Sequence, residues 1–120
     1  MATTVLIVDD HATFRSRCRR LLQSGGFRVV GEAEDGGSAV VASRRLRPDL
    51  VLLDVQLPDR NGFDVAEDII GGAGASTVIM ISSRDASEYR GSLNRSRADG
   101  FIAKADLSLA ALEEALATGS

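Results

Sequence analysis

Four short runs of apolar residues, each followed at once by a polar or charged side chain, constrain the fold of this chain most strongly. The runs are residues 5–8, 50–53, 78–81 and 101–103. The first is followed by Asp9 and Asp10, and the second by Asp54. The third is followed by Ser82 and the fourth by Lys104, the only lysine beside thirteen arginines. Because short continuous apolar runs are typical of buried parallel strands, we expect each run to be a strand that ends at its polar residue.

Strand and helix patterns alternate along the whole chain. The predicted strands are residues 4–8, 28–33, 50–53, 77–81 and 101–103, and the predicted helices are residues 12–24, 37–46, 63–70, 85–98 and 108–117. Pro48 follows the second helix, the glycine-rich residues 71–74 end the third, and Ser108 is a candidate N-cap of the fifth. The fourth helix has few apolar residues and is interrupted by Gly91, so we expect it to be the least stable element.

Five strand–helix units of this kind predict an α/β fold with a doubly wound, five-stranded parallel sheet and right-handed crossovers. In such sheets, ligands bind just outside the carboxyl ends of the strands. Three carboxylates, a hydroxyl and an ammonium group are therefore predicted to converge at one edge of the sheet. Such a set suits a divalent metal ion and a phosphoryl group.

The composition is that of an ordinary soluble globular protein, with 44% apolar and 26% charged residues. The 120 residues suffice for one domain, which we place at residues 1–120. The net charge of −3 argues against a nucleic-acid-binding surface, and no apolar run is long enough for a membrane span or a signal peptide. The single cysteine, Cys18, cannot form an internal disulfide, so we expect a reduced, cytoplasmic setting.

The polar residues at the strand ends have specific chemical interpretations. Magnesium prefers oxygen ligands in octahedral geometry, which Asp9 and Asp10 can supply, although one of them could simply cap the following helix. A carboxylate such as Asp54 can attack a phosphoryl group and form an aspartyl phosphate. Lys104 could then neutralise phosphoryl oxygens, and Ser82 could donate a hydrogen bond to one of them. The alternatives are a solvated lysine and a serine that bonds only to the local backbone.

Four motifs together resemble the receiver domain of two-component response regulators, a CheY-like fold. They are VLIVDDH at residues 5–11, DLVLLDVQLPDRNGFD at 49–64, VIMISS at 78–83 and GFIAK at 100–104. The resemblance covers nearly all of the chain and implies the flavodoxin-like strand order 2-1-3-4-5. It also implies a protein that catalyses its own phosphorylation and dephosphorylation rather than a separate enzyme.

The resemblance assigns a role to each residue at the predicted site. Asp54 is expected to be the phosphoacceptor and, with Asp10, a direct ligand of Mg²⁺. The backbone carbonyl of Gln56 is expected to complete the protein's share of the metal shell, and Asp9 to contact the ion through water. Lys104 is expected to bind the phosphoryl group.

Two further residues are expected to form the switch. Ser82 corresponds to the family's switch hydroxyl, with Ser83 as the alternative, and Phe101 corresponds to its aromatic switch residue. Ala105 stands where many members carry a proline that is often cis, so we expect a trans peptide bond after Lys104.

The same resemblance implies partners and an output. His11 with residues 14–15 resembles the NarL/LuxR subgroup, whose members often carry a helix-turn-helix domain that controls transcription. The implied partner is a sensor histidine kinase, which docks near the first helix in this family. The alternative is that the arginines of the first helix only form a solvent-exposed face. A homodimer is possible, and no direct contact with nucleic acid or membrane is expected.

Three other classes of protein are alternatives to this interpretation. A haloacid-dehalogenase-type phosphatase needs a second aspartate two residues after the first, and Gln56 occupies that position. A receiver that acts as a single-domain or phosphorylation-independent binding module stays open as the alternative. A nucleotide- or flavin-binding domain fits less well, because the glycine pairs at residues 25–26 and 36–37 match neither the dinucleotide fingerprint nor a P-loop.

Overall fold

A five-stranded parallel sheet lies at the centre of the computed structural model, which describes residues 2–72 and 76–118. The strands are β1 (Thr4–Val8), β2 (Arg28–Ala33), β3 (Leu50–Asp54), β4 (Thr77–Ser82) and β5 (Gly100–Ala103). Their order across the sheet is β2-β1-β3-β4-β5, and each neighbouring pair is parallel. This order confirms the predicted α/β fold and the 2-1-3-4-5 topology.

Within the described ranges, five α-helices alternate with these strands. They are α1 (Ala12–Ser24), α2 (Gly36–Leu46), α3 (Gly62–Ile70), α4 (Arg90–Arg95) and α5 (Leu109–Thr118). Asp35, Asn61 and Ser108 cap α2, α3 and α5, because each side-chain oxygen accepts a hydrogen bond from a first-turn backbone N–H at 2.8–3.0 Å. The predicted N-cap role of Ser108 is confirmed.

Each face of the sheet carries its own apolar core. Alternate residues of the central strands point to opposite faces, which explains why these strands read as continuous apolar runs. One core joins the sheet to α2 and α3, with Ala39 and Val65 fully buried. The other joins it to α1 and α5, with Leu22 and Leu112 fully buried. The polar ends of the strands are the places where this apolar packing stops.

The segment between β4 and β5 differs from the predicted helix over residues 85–98. It consists of a 3₁₀ turn, Ala86–Tyr89, followed by the short helix α4. Neither piece contains a buried residue. The physical reason is that only three side chains offer an apolar stripe and that Gly91 weakens a helix by roughly 1 kcal/mol relative to alanine. The prediction of one continuous helix here was wrong.

Most other boundaries agree with the prediction to within one residue. The peptide bond after Lys104 is trans, as predicted, and the described residues contain no cis peptide bond. Ala73 and Gly74, part of the predicted stop after α3, lie outside the described residues. No helix in the described ranges is long and apolar enough to cross a membrane.

Candidate functional site

The register of the sheet brings the predicted polar residues to one edge. Val8 of β1 is paired with Leu53 of β3, so the residues that follow, Asp9 and Asp54, are neighbours. Asp54 ends β3 beside β4, and Ser82 ends β4 opposite Ala103, directly before Lys104. The carboxyl ends of four neighbouring strands therefore supply the site.

Lys104 joins the two buried carboxylates of the site. Its Nζ lies 2.5 Å from Asp9 Oδ2 and 3.4 Å from Asp54 Oδ2. The carboxylate of Asp9 is fully buried and that of Asp54 almost so, whereas Lys104 is 16% exposed. The other oxygen of Asp54, Oδ1, accepts a hydrogen bond from the backbone N–H of Gln56 at 3.2 Å. One ammonium group thus faces two acids that are withdrawn from water.

The pKa values of Asp54 and Lys104 are raised, whereas that of Asp9 is lowered. Burial, followed by the negative charge of Asp9, raises the pKa of Asp54 from 3.8 to about 6. Burial also acts to raise the pKa of Asp9, but the close Lys104 ammonium and the hydrogen bond from the backbone N–H of His11 outweigh it and hold that pKa below its usual range. Burial acts to lower the pKa of Lys104, and the two carboxylates more than reverse it. Above pH 6 the site therefore carries excess negative charge.

Two further side chains, Asp10 and His11, extend the cluster. One ligand atom each from Asp9, Asp10, His11 and Asp54 lies within 4.8 Å of the others. Asp10 is partly exposed, so water has access to the cluster. Asp9 Oδ2 is buried without a hydrogen bond of normal geometry, and the nearby ammonium is its compensation. Oxygen donors, partial exposure and uncompensated charge fit a hydrated divalent cation such as Mg²⁺.

The loop after β3 is held tightly against the site. An added Cβ at Gly62 would lie 2.2 Å from the backbone oxygen of Asp54, so the loop can return this close only with glycine. Gln56 forms an isolated antiparallel bridge with Asn61. Asp59 accepts hydrogen bonds at 2.8 and 3.0 Å from the first two backbone N–H groups of α2. These contacts fix the path of the chain beside Asp54.

Tyr89 contacts the predicted switch residues, a role that was not predicted from the sequence. The Tyr89 hydroxyl lies 3.4 Å from Ser82 Oγ, and its ring lies between those of Phe63 and Phe101, at centroid distances of 5.9 and 6.0 Å. Ser82 is fully buried, whereas the alternative Ser83 is exposed. Tyr89 thus connects the two predicted switch residues. That it is the chain's single tyrosine was the only signal in the sequence.

Two residues at the start of α1 also support the site and were not predicted to do so. Arg15 Nη1 donates a hydrogen bond to the backbone oxygen of Asp9 at 2.6 Å, and its Nε donates to Glu32 at 2.9 Å. The Phe14 ring centroid lies 4.4 Å from Lys104 Nζ, which is a cation–π contact. Both contacts cross between elements, so no local pattern announces them.

The geometry of the site and the fold agree with a comparison against known families. The family model of the response regulator receiver domain matches residues 5–117. The chain belongs to this family. The matched range includes every acidic residue of the site as well as Ser82 and Lys104.

Relatives of this receiver domain include a transcriptional regulatory protein and solved structures of response regulators. The probable transcriptional regulatory protein TcrX of Mycobacterium tuberculosis is 36% identical over 101 residues, covering 84% of this chain and 43% of TcrX. A LuxR-family two-component response regulator from Aurantimonas sp. SI85-9A1 superposes with a TM-score of 0.86 at 30% identity, covering 98% of this chain and 86% of that one. The signal receiver domain of the putative response regulator NarL from M. tuberculosis superposes with a TM-score of 0.82 at 32% identity, covering 96% of this chain and 97% of that one.

The receiver domain spans less than half of the length of several curated relatives. It covers 48% of a putative transcriptional regulator of Pseudomonas aeruginosa and 43% of the regulator DegU of Brevibacillus brevis. The matches do not extend over the remainder of those proteins. The activities of whole regulators therefore do not transfer with the match.

Proposed function

We propose that this receiver domain accepts a phosphoryl group on Asp54 and thereby switches an output surface. The donor would be the phosphohistidine of a sensor kinase or a small acyl phosphate. The observation that carries this proposal is the Lys104 ammonium, which lies between Asp9 and Asp54 in a cluster of acidic oxygens. A phosphoryl group needs a nucleophile and cationic neutralisation at the same point, and this arrangement offers both.

In the proposed reaction, an Asp54 carboxylate oxygen attacks phosphorus in line. A P–O bond forms to Asp54 while the bond from phosphorus to the donor nitrogen or oxygen breaks and its electron pair leaves with the donor. With a pKa of about 6, Asp54 is largely ionised at neutral pH. Lys104, only 3.4 Å from Asp54, neutralises charge on the phosphoryl oxygens. The backbone N–H of Gln56 holds the other carboxylate oxygen.

Four groups of this chain would hold Mg²⁺. They are the carboxylates of Asp10 and Asp54, the backbone carbonyl of Gln56 and, through water, Asp9. The ion would supply further neutralisation of the charge on the transferred phosphoryl group. Arg15 contributes indirectly, because its hydrogen bond fixes the backbone oxygen of Asp9 at the end of β1.

The proposed switch begins at Ser82. Its Oγ accepts a hydrogen bond from the Arg84 backbone N–H and lies near the Tyr89 hydroxyl. Phosphoryl oxygens are strong acceptors, so they would draw the Ser82 hydroxyl toward Asp54 and away from Tyr89. Phe101 packs on Tyr89 and would then shift. The 3₁₀ turn Ala86–Tyr89 has no buried residue, so few buried contacts oppose its rearrangement.

The output of this switch would be transcriptional. The surface next to Phe101 contains a groove of about 420 Å³ between β5 and α5, with Ala111 and Asp106 on its lining. A DNA-binding region outside this chain would respond to changes there, without nucleic acid touching the receiver itself. A homodimer and kinase docking at the arginines of α1 belong to the same proposal. A cytoplasmic location stays a prediction from the sequence.

The test is the intact mass of the protein after incubation with acetyl phosphate, with and without Mg²⁺. We expect a gain of one phosphoryl group that requires Mg²⁺, is lost in Asp54→Ala and is retained in Asp64→Ala, an exposed carboxylate on α3. Uptake by Asp54→Ala at the same rate would make the assignment wrong. If the wild type takes up nothing and beryllofluoride leaves its NMR spectrum unchanged, the phosphorylation-independent binding module replaces this proposal.

A further inference from the structure

His11 is the member of the acidic cluster that the proposed magnesium site does not use. Its Nδ1 lies 3.0 Å from Asp9 Oδ1 and 3.1 Å from Asp10 Oδ1. Its backbone N–H donates to the same Asp9 oxygen at 2.7 Å, which fixes the start of α1 beside the acids. The imidazole side chain is 68% exposed, so packing does not require it to point at the cluster.

We propose that His11 Nδ1 is a direct metal ligand, which makes this site prefer a first-row transition metal such as Mn²⁺ over Mg²⁺. The inference rests on the metal site of the proposed function and adds its selectivity. Imidazole nitrogen is a good ligand for transition metals, whereas Mg²⁺ takes oxygen ligands almost exclusively. A nitrogen donor among three carboxylates therefore changes which ion the site favours.

The distances suit coordination to one ion. Two adjacent ligands of an octahedral ion with bonds of about 2.1 Å are about 3.0 Å apart. The separation of His11 Nδ1 from Oδ1 of Asp10, the direct carboxylate ligand of the proposed site, is 3.1 Å and matches such adjacent positions. Asp9 Oδ1, which would reach the ion through water, lies at hydrogen-bond distance from the same nitrogen, 3.0 Å. The nitrogen that faces the acids is also the one that would face the ion, so no ring flip is needed. With its proton on Nε2, at the opposite side of the ring, the imidazole offers a lone pair to the cluster.

A competing explanation is that the imidazole only donates a hydrogen bond to the two carboxylates. It then would hold Asp9 and Asp10 together without touching the ion. This role predicts equal losses of Mg²⁺ and Mn²⁺ affinity when the side chain is removed. Direct ligation predicts a loss for Mn²⁺ alone, so the two explanations are separable.

The decisive measurement uses untagged protein, because His11 is the only histidine in the chain. Electron spin echo spectroscopy of the bound Mn²⁺ should detect the ¹⁴N hyperfine coupling of one ligated imidazole. That coupling should vanish in His11→Gln. Titrations should show Mn²⁺ binding weakened by about tenfold or more in this variant, with Mg²⁺ affinity changed less than about twofold. Thr13→Ala, at an exposed side chain in the second position of α1, is the matched control and should change neither affinity.

The outcomes separate this inference from the proposed function. Bound Mn²⁺ without a nitrogen coupling, or equal losses of both ions in His11→Gln, would overturn the role of His11 while leaving the phosphoacceptor site intact. Absence of any divalent-ion binding to the wild type would overturn both.

Discussion

Replacing the buried Asp54 by asparagine should stabilise the ion-free protein. In the folded state, burial and the neighbouring Asp9 raise the pKa of Asp54 from 3.8 to about 6. Each pKa unit corresponds to about 1.4 kcal/mol, so ionised Asp54 destabilises the fold by about 3 kcal/mol. Asparagine has nearly the same shape and can still accept the hydrogen bond from Gln56. We therefore expect Asp54→Asn to raise the free energy of unfolding by about 2–3 kcal/mol at pH 8.

The pH dependence of this difference has a defined sign. Because the pKa of Asp54 is higher in the folded than in the unfolded chain, the folded protein binds the extra proton. The contribution of the Asp54 carboxyl group to the free energy of unfolding is therefore most favourable below pH 3.8, and this contribution is lost as the pH rises through about 6. The stabilising effect of the mutation should therefore be small at pH 4 and reach its full size above pH 7.

The assay is urea unfolding followed by circular dichroism, since the chain has no tryptophan. It should be run at pH 4 and pH 8 in the presence of a chelator, with Asp85→Asn as the control. Asp85 is exposed and its side chain makes no capping hydrogen bond, so its neutralisation should change stability little at either pH. Excess Mg²⁺ should stabilise the wild type more than Asp54→Asn and so narrow the gap. A variant that is destabilised, or unchanged, at pH 8 would refute the reasoning.

Three other perturbations probe the same site. Lys104→Met removes the ion-pair partner of the fully buried Asp9 and should lower the free energy of unfolding by about 3 kcal/mol at pH 8; in urea titrations the loss should shrink near pH 4, where Asp9 can take up a proton, and an equal loss at both pH values would contradict the ion-pair account. Gly62→Ala places a Cβ 2.2 Å from the backbone oxygen of Asp54, so it should lower the thermal midpoint strongly and slow phosphorylation, and near wild-type values for both would show that the loop can yield. Tyr89 is the single tyrosine of a chain without tryptophan, so its fluorescence should change when beryllofluoride and Mg²⁺ are added and should stay constant in Asp54→Ala; a constant signal in the wild type would contradict the proposed switch.

The site could be located from sequence because its residues follow apolar runs. Parallel strands have a common direction, so polar residues directly after several runs must meet at one edge. Asp54 and Lys104 were predicted to lie together although they are 50 positions apart in sequence, and in the structure Lys104 Nζ lies 3.4 Å from Asp54 Oδ2. The fold class followed from the same alternation of strands and helices.

The contacts that could not be predicted from the sequence are those between side chains of different secondary-structure elements. The hydrogen bond from Arg15 to Asp9 depends on how α1 packs over β2, where Glu32 orients the guanidinium. The contact between Tyr89 and Ser82 depends on the 3₁₀ turn that replaces the expected start of the fourth helix. Hydrophobic periodicity predicts neither the tilt of a helix nor the rotamer of a side chain.

The most direct test of the phosphoacceptor assignment is the position of the modified residue. Protein treated with acetyl phosphate and Mg²⁺ is reduced with borohydride, which converts an aspartyl phosphate into homoserine, then digested with trypsin and sequenced by mass spectrometry. The peptide covering residues 46–60 contains Asp49, Asp54 and Asp59, so each modified peptide carries its own internal controls. We predict homoserine at position 54 alone. Homoserine at position 49 or 59, or at Asp9 or Asp10 elsewhere in the chain, would contradict the account.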